Sequence, residues 1–306
     1  MQGCDRKGVT PDGDADAVAA DSLRLAPVVD AFQLTESSGA AVSVTHPGVL
    51  YTFNDSGNDP VLYAFDTTGM SRGRWIVNRI RNHDWEAAAV GRCVGHAATA
   101  ASCVYLGDVG DNGLERRAVI IYRVPEPELL APGAVGEAVA DSIVVRYEDG
   151  QHNVEAMYIA PDGSTILIAK ERRRTASGAV RPTLIYRVAP SAWDSAQVAE
   201  AKLVDSLPIV PRAATSHQVT DASLSIDGRT LAVRTYAQIF LFAVDPATGL
   251  PRPGVAHMVC DVRKLAEPQG EGVGIVARRG ERARLVLTTE GEGEPLRLVT
   301  CPTPPR

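Results

Sequence analysis

The chain has 306 residues, of which 45% are hydrophobic and 5% aromatic, so its core must be built mainly from Val, Leu, Ile and Ala. Acidic residues outnumber basic ones, 37 to 31, and the net charge of −6 argues against a nucleic-acid surface, which needs a basic stripe. No apolar run approaches the ~18 residues of a membrane span. The length allows one large domain or two small ones.

Residues 1–22 form a segment rich in Gly, Asp and Ala without hydrophobic periodicity, which is typical of a flexible leader. Near its start, Gly3 and Cys4 precede a polar linker. This arrangement is similar to the end of a bacterial lipoprotein signal, in which the Cys carries the lipid. Cys4 is therefore either a lipid-attachment site or a thiol in an unstructured leader.

A three-part unit then recurs along the chain. Its first element is an acid followed at once by Ala, Ser or Gly, and the five such acids are Glu36, Glu86, Glu155, Asp221 and Glu271. The second elements are apolar segments at 50–55, 104–108, 166–171, 231–236 and 285–290, and the third are at 61–66, 119–126, 184–190, 239–245 and 295–301. Repetition of this kind predicts one closed array over residues 23–306.

A fourth strand follows the third in four of the units, at 74–80, 141–148, 197–207 and 255–262. The last unit ends at Cys301 without one, and the segment from Leu23 to Phe32 can supply it and close the ring. Short strands with Asp-Gly turns predict four-stranded antiparallel blades. The fold expected is an all-β propeller of five blades, with six as the alternative, because a degenerate blade fits between Glu86 and Asp221.

Four of the five cysteines suit two disulfides. Cys93 and Cys103 flank a loop between two strands of the second unit, which brings their ends within bonding reach. Cys260 and Cys301 lie in strand-like segments late in the chain. Pairing these four leaves Cys4 unpaired, and disulfides imply an oxidising, extracytoplasmic compartment. The alternative is five buried thiols in a cytosolic protein.

In a propeller the first strand of each blade lines the central channel, so the five repeat acids are expected to surround one mouth of it. Acids at the ends of second strands point to the same face, namely Asp55, Asp108, Asp111, Glu171 and Glu290. The oxygen-rich turns at 54–58 and 108–112 favour Ca²⁺ over other metals. The alternative is structural: each inner-strand acid accepts backbone N–H groups from the neighbouring blade.

Three histidines precede the repeat acids by three or four residues, at His83, His152 and His217, which indicates a ligand or proton-transfer role. Lys170 and Arg234 lie in second strands near the mouth. They either pair with the acids or hold an anionic substrate.

The segments NDSG, DWE, YLGDVGDN, IIYRVPEPE, VTDASLSIDGRTLAVRTY, QGEGVGI and TTEGEGEP resemble a group of secreted bacterial propeller proteins, often lipoproteins, of mostly unassigned function. The resemblance runs from about Glu36 to Cys301. At fold level the chain is also similar to calcium-dependent propeller phytases and to other phytase-like secreted propellers. The Asp-Asp-Pro and basic phosphate-clamp pattern of a phytase is missing, which argues against phytate hydrolysis.

Two functions follow. The first is a secreted or lipid-anchored binding module whose acidic, calcium-holding mouth takes a small molecule, a glycan or a protein. The second is a metal-dependent hydrolase of phosphoesters or related esters, with Glu86, Glu155, His83 or His152 as general base. The binding module is favoured, because ligand-type residues are present and no nucleophile motif is.

Overall fold

The computed structural model describes residues 17–28, 34–95, 100–170, 177–195, 197–210 and 217–305. These residues form β-strands, short 3-10 helices at Pro190–Asp194 and Arg263–Leu265, and turns, with no α-helix among them. None of the described helices has the length and apolarity needed to cross a membrane. The predicted all-β class is confirmed.

The strands in chain order are β1 (Val18–Ala19), β2 (Asp21–Ala26), β3 (Ala41–Val42), β4 (Val49–Thr52), β5 (Val61–Asp66), β6 (Ser71–Asn78), β7 (Trp85–Arg92), β8 (Ser102–Asp108), β9 (Val119–Pro125), β10 (Val135–Val139), β11 (Asp141–Tyr147), β12 (Val154–Ile159), β13 (Thr165–Ala169), β14 (Thr183–Val188), β15 (Ala199–Leu207), β16 (Val219–Leu224), β17 (Thr230–Thr235), β18 (Gln238–Asp245), β19 (Leu250–Pro251), β20 (Met258–Asp261), β21 (Gln269–Arg279), β22 (Arg282–Glu290) and β23 (Leu296–Pro302).

Burial follows the position of a strand in its sheet. All residues of β8, β12 and β13 are buried, as their nearly unbroken apolar and small sequences predict. Outer strands alternate instead, and β11 buries every second residue of its second half. The Asp-Gly turns join β12 to β13 and β16 to β17, with Gly163 and Gly228 at positive φ as tight hairpins require.

The described strands form four sheets. Two of them are single blades with added strands: β3-β4-β5-β6 is extended by β10, and β16-β17-β18-β20 by β1 and by β19, which pairs with β18. An eight-stranded sheet consists of two antiparallel halves, β7-β8-β9-β11 and β12-β13-β14-β15, joined because β11 and β15 pair in parallel. The fourth sheet is β21-β22-β23 with β2. The added strands β1, β10 and β19 were not predicted, and β1 lies within residues 1–22, the segment predicted to be a flexible leader.

The innermost strands make a ring. β3 contacts β7, β7 contacts β12, β12 contacts β16, β16 contacts β21, and β21 contacts β3 again. Small side chains such as Ala41, Ala88 and Ala222 line the middle of this ring, where the open volume is only about 20 Å³. That is room for about one water molecule, so the inner strands pack closely at the axis.

The N-terminal segment closes the last sheet, as predicted. β2 pairs with β23 in antiparallel register, from Asp21 opposite Thr300 to Ala26 opposite Leu296. The strand begins and ends earlier than the predicted segment from Leu23 to Phe32, and residues 29–32 of that segment lie outside the described part of the chain. Just before β2, β1 pairs in parallel with β20 of the neighbouring sheet.

Both predicted disulfides are confirmed. Cys93–Cys103 joins the end of β7 to the start of β8, with 5.1 Å between the Cα atoms. Cys260–Cys301 joins β20 to β23 over 5.7 Å, and so crosslinks the same two sheets that β1 and β2 hold together. Cys4 lies outside the described residues.

The core sits between neighbouring sheets rather than in one centre. Aromatic rings fill the joint between the first two blades, where Phe53 and Trp85 meet edge to face at 5.8 Å between centroids and Trp85 and Tyr122 at 6.1 Å. Trp75 extends this cluster into the first blade. Such packing fixes each inner strand against its neighbour and therefore fixes the acids that the inner strands carry.

Candidate functional site

β-bulges at the start of the inner strands set the direction of the repeat acids. In β7 the pairing with β8 steps from Trp85 to Ala87, so Glu86 is the extra residue. In β12 the pairing with β13 steps from Val154 to Ala156, and Glu155 is the extra residue. A bulge leaves its extra residue out of the ladder and re-aims its side chain. Glu86 and Glu155 are thereby turned towards each other.

Glu86 belongs to a compact group of three acids with Asp55 and Asp84. One carboxylate oxygen from each lies within 4.8 Å of the other two, and together they could hold a metal ion. Glu86 is buried and its Oε2 accepts a hydrogen bond from Ser38 Oγ at 2.9 Å. Gly110 makes room for the group, because a Cβ there would lie 2.4 Å from Asp84 Oδ2.

The free carboxylates in this group repel one another. Burial raises the pKa of Asp84, and the negative charge of Asp55 raises it further. Burial also raises the pKa of Glu86, with contributions from the charges of Glu155 and Asp55. A cation placed among these oxygens would relieve both effects.

Glu155 lies beside Glu86 and is held by three neighbours. Lys170 Nζ is 2.8 Å from its Oε2, and Asn153 Nδ2 donates to its Oε1 over 3.0 Å. Burial raises the pKa of Glu155, while Lys170, Asn153 and a hydrogen bond from Glu86 oppose that rise. Burial thus raises the pKa of both members of the pair, and the charge of Lys170 opposes the rise in each. Glu155 in turn raises the pKa of Lys170 and keeps it charged.

Across from this pair, Glu271 and Glu290 share a donor. Gln269 Nε2 donates to Glu271 Oε1 at 2.8 Å and to Glu290 Oε1 at 2.7 Å. The other oxygen of Glu271 is buried without a hydrogen-bond partner among the described residues. Burial raises the pKa of Glu271 to about 8, against the charge of Lys170. Together these acids form the acidic mouth, which we define as Glu36, Asp55, Asp84, Glu86, Glu155, Glu271 and Glu290 with Lys170.

The remaining member, Glu36, lies on the exposed rim. Its Oε2 accepts a hydrogen bond from Asn58 Nδ2 at 2.7 Å, and its backbone forms a β-bridge to Glu290. The structure therefore brings four of the five repeat acids to one mouth.

Asp221 has the structural role given above as the alternative, because it accepts backbone N–H groups from neighbouring segments. Its Oδ2 accepts the backbone N–H groups of Ala40 at 3.0 Å and Val273 at 2.7 Å, and its Oδ1 accepts that of Ala222 at 2.8 Å. The residue is fully buried. It joins β16 to β21 and to the residue before β3, so its oxygens are engaged in holding the ring together. Burial raises the pKa of Asp221, against these donors and the charge of Arg234.

Two more acids predicted as metal ligands have other partners. Asp108 accepts hydrogen bonds from Arg116 Nη2 at 2.8 Å and from the backbone N–H of His83 at 3.3 Å. Asp111 accepts the backbone N–H groups of Glu115 at 2.8 Å and Arg116 at 2.9 Å, which fixes the turn after β8. Neither residue belongs to the three-acid group. Glu171 lies outside the described residues.

The two predicted ligand-binding cations are both paired. Lys170 binds Glu155 and lies 5.4 Å from the ring centre of Tyr236. Arg234 is fully buried, donates to the carbonyls of Gly272 at 2.7 Å and Thr288 at 3.0 Å, and forms an ion pair with Glu267.

The three histidines do not form one cluster. His83 is exposed, and its charge lowers the pKa of Asp84 in the three-acid group. His152 is buried, with its Nε2 2.8 Å from Asp149 Oδ1 and 2.6 Å from the hydroxyl of Tyr186. His217 is half-buried and lies two residues before β16. Of the three, His83 has the clearest electrostatic contact with the acidic mouth.

Several residues of the mouth were not predicted. Asp84 stands two residues before a repeat acid in the segment DWE, and this spacing was a usable signal. Ser38, Asn153, Gln269 and Tyr236 reach the acids only through the folding of separate units, and no local pattern identifies them.

No family model and no curated protein sequence matches this chain. Among solved structures, the holo form of the pyranose dehydrogenase PQQ domain from Coprinopsis cinerea is similar, with 10% identity, a TM-score of 0.43, and 92% of this chain and 96% of that chain covered. A luciferin-regenerating enzyme also has 10% identity and a TM-score of 0.43, over 92% and 80% of the two chains. The Dos1 propeller has 10% identity and a TM-score of 0.36, over 86% and 58%. These are similarities of fold, and they assign no residue role.

Proposed function

We propose that this chain is a five-bladed β-propeller whose acidic mouth binds a divalent cation. The blade count is supported by the closed ring of contacts among β3, β7, β12, β16 and β21. The metal site is supported by the convergence of Asp55, Asp84 and Glu86 from two separate segments, with one oxygen from each within 4.8 Å of the others. That convergence is the observation that carries the proposal.

Ca²⁺ is the cation that suits this donor set. The three side chains offer only carboxylate oxygens, and Asp55 lies in a turn rich in Asn, Asp and Gly. Ca²⁺ takes six to eight oxygen ligands in flexible geometry, whereas zinc in proteins usually takes Cys or His ligands as well. Binding at the three acids would also offset the repulsion that raises the pKa values of Asp84 and Glu86.

The role that follows is that of a binding module outside the cytoplasm. The two disulfides are consistent with an oxidising compartment. We propose that the chain is exported, with Cys4 as a candidate lipid attachment point. A bound cation at the mouth of the propeller would present open coordination positions to the oxygens of a small molecule, a glycan or a protein partner.

A metal-dependent esterase is the second candidate, and one observation favours it. Glu155 lies beside Glu86 of the three-acid group and pairs with Lys170 at 2.8 Å, which places a candidate general base next to the proposed cation. Hydrolysis of p-nitrophenyl phosphate, phytate and carboxylic esters, measured with calcium and with chelator, tests this. Calcium-dependent turnover that Glu155→Gln abolishes would establish the esterase, and its absence leaves the binding module.

Calcium binding itself is tested by isothermal titration of the chelator-treated protein with Ca²⁺, Mg²⁺ and Zn²⁺. We expect Ca²⁺ to bind, and Asp84→Asn to weaken it at least tenfold because one of three carboxylates is neutralised. Asp111→Asn is the matched control, since that acid lies in a neighbouring turn with both oxygens on backbone N–H groups. Equal affinities for all three proteins would show that the cation does not bind at the three-acid group.

A further inference from the structure

The three acids of the proposed metal site come from two segments that belong to different blades. Asp55 lies in the turn between β4 and β5 of the first blade. Asp84 ends the connection from β6 to β7, and Glu86 lies in β7 of the second blade. The three-acid group therefore spans the joint between these blades, and its geometry depends on what fixes the turn against the connection.

Asn82, in the middle of that connection, reaches across the joint. Its Nδ2 donates to the carbonyl oxygen of Asn54 at 2.8 Å and to that of Asp55 at 2.7 Å. The residue is buried, with 9% of its surface exposed. Both donors of one amide group are thus used on two successive carbonyl groups, and the second of these belongs to a residue of the three-acid group.

The other end of the Asn82 amide is fixed to its own segment. Its Oδ1 accepts the backbone N–H of Trp85 at 3.1 Å, and the indole Nε1 of Trp85 donates to the carbonyl of Arg81 at 3.2 Å. Trp85 is fully buried and packs edge to face on Phe53, which lies two residues before Asp55. The Asn82 amide is therefore a rigid link between the two segments that carry the acids.

This link opposes the repulsion between the acids. The carboxylates of Asp55 and Asp84 repel each other, because the charge of Asp55 disfavours the ionised form of Asp84. That force pushes the turn away from the connection. Asn82 holds the turn through backbone carbonyl groups and occupies no carboxylate oxygen, so the oxygens of the three acids remain close together without being used by the link.

We propose that Asn82 is the positioning residue of the metal site, which holds Asp55 beside Asp84 and Glu86 before the cation binds. A ligand set that is already held in place loses less conformational freedom on binding, so its affinity is higher. Residues that orient metal ligands in this way contribute roughly ten- to hundredfold to metal affinity. The inference rests on the proposed calcium binding, since it concerns the same three acids.

Two variants of Asn82 separate its cross-joint hydrogen bonds from the fold of its own segment. Asn82→Ala removes all three hydrogen bonds. Asn82→Ser keeps an oxygen that can accept the Trp85 N–H, as Ser does in such turns, but its side chain is too short to reach the two carbonyl groups. In isothermal titration of the full chain, we expect both variants to bind Ca²⁺ roughly ten- to hundredfold more weakly than the parent.

Ser225→Ala is the matched control. Ser225 is also a buried polar residue, and its Oγ accepts the backbone N–H of Thr230 at 3.0 Å and donates to Asp227 at 2.6 Å. It fixes the turn between β16 and β17 at the opposite end of the inner strands. We expect this variant to lose stability in urea unfolding and to keep the calcium affinity of the parent.

Tb³⁺ luminescence supplies a signature that loss of stability alone would not produce. Lifetimes in H₂O and D₂O report how many water molecules are bound to Tb³⁺ in place of protein ligands. We expect Asn82→Ser to show more bound water than the parent, as Asp55→Asn does, because both variants lose the Asp55 ligand. Combining the two substitutions should weaken binding little further than Asp55→Asn alone.

Three results would overturn the positioning role and leave the metal site in place. They are parent-like affinity and bound water in Asn82→Ser, losses that add fully in the variant with Asp55→Asn, and an equal loss of affinity in Ser225→Ala. The last two would mean that Asn82 acts on stability and not through Asp55. A parent protein that binds neither Ca²⁺ nor Tb³⁺ would instead overturn the proposed function, and the positioning role with it.

Discussion

Asp221 and Glu86 begin the same sequence pattern, an acid followed by Ala, yet they lie in different surroundings. Glu86 faces other carboxylates across the acidic mouth and has a pKa raised by burial and by their charges. Asp221 faces three backbone N–H groups and is enclosed by them. The carboxylates around Glu86 repel one another, and a bound cation would relieve that repulsion. The carboxylate of Asp221 accepts hydrogen bonds from N–H groups that would otherwise be buried without a partner.

The difference comes from the position of the β-bulge. In β7 the bulged residue is Glu86 itself, whereas in β16 the pairing with β17 steps from Val219 to Asp221, so that the bulged residue is Thr220. Asp221 stays in the ladder opposite Arg234. Because side chains alternate along a strand, a shift of one residue changes what an acid faces. The role of a repeat acid is thus decided by register rather than by the repeat alone.

The largest effect is expected from Asp221→Ala. Removing the carboxylate leaves the N–H groups of Ala40, Ala222 and Val273 without their acceptor, and each unsatisfied buried group costs about 1–3 kcal/mol. We expect the free energy of unfolding to fall by roughly 3 kcal/mol or more. Urea unfolding should show the same loss in calcium and in chelator. A loss seen only in calcium would make Asp221 a ligand residue.

Glu86→Gln should behave in the opposite way. In chelator the variant should be at least as stable as the parent, because a repelling carboxyl group has been made neutral. Calcium should stabilise the parent by about 2.7 kcal/mol at a hundredfold excess over the dissociation constant, and the variant by much less. Melting curves with calcium and with chelator measure both effects.

Asp111→Asn is the control for that comparison. Its carboxylate caps the backbone N–H groups of Glu115 and Arg116, so the substitution should destabilise slightly and leave the calcium effect intact. If Asp111→Asn abolished the calcium effect and Glu86→Gln did not, the cation would lie in the turn after β8.

The fold was predictable because its signals are local and repeated. The alternation within strands such as β11, the Asp-Gly turns and the repetition of the unit predicted the all-β class and most of its strands, although not β1, β10 or β19. The missing outer strand of the last unit identified the N-terminal segment as its replacement, and β2 confirms this. The spacing of Cys93 and Cys103 across one hairpin gave their disulfide directly.

The site was less predictable because its geometry is not local. Asp55 and Asp84 meet through the packing of the first two blades, and Arg116 reaches Asp108 through the turn that Asp111 fixes. Arg234 looks like a ligand residue in sequence, but it is buried among carbonyl groups. Asp221 and Glu86 differ because the bulge lies one residue before the acid in β16 and at the acid in β7. The sequence pattern does not show this difference.

The electrostatic contribution of Glu271 to the free energy of unfolding can be measured by varying the pH. Its pKa of about 8 lies above the ordinary value of 4.5, so between these two values the folded state binds a proton that the unfolded state releases. In chelator, stability should therefore fall as pH rises from 4.5 to 8, by at most about 1.4 kcal/mol per pH unit, and level off outside this window. Urea unfolding of Glu271→Gln should lack this contribution. Identical pH profiles for parent and variant would contradict it.

The smallest effect is expected at Thr220, which occupies in β16 the bulge position that Glu86 occupies in β7. Its hydroxyl donates to the carbonyl of Glu271 at 2.9 Å and so ties β16 to β21. Thr220→Val keeps the shape and removes that hydrogen bond, at a cost of about 1 kcal/mol. Thr220→Ser should restore most of it, because the hydroxyl returns. Both values should be the same in calcium and in chelator, since this bulge points a neutral group at a backbone oxygen. A calcium-dependent loss in Thr220→Val would mean that the bulge position itself, whatever residue fills it, contributes to the metal site, and the contrast between β16 and β7 would then disappear.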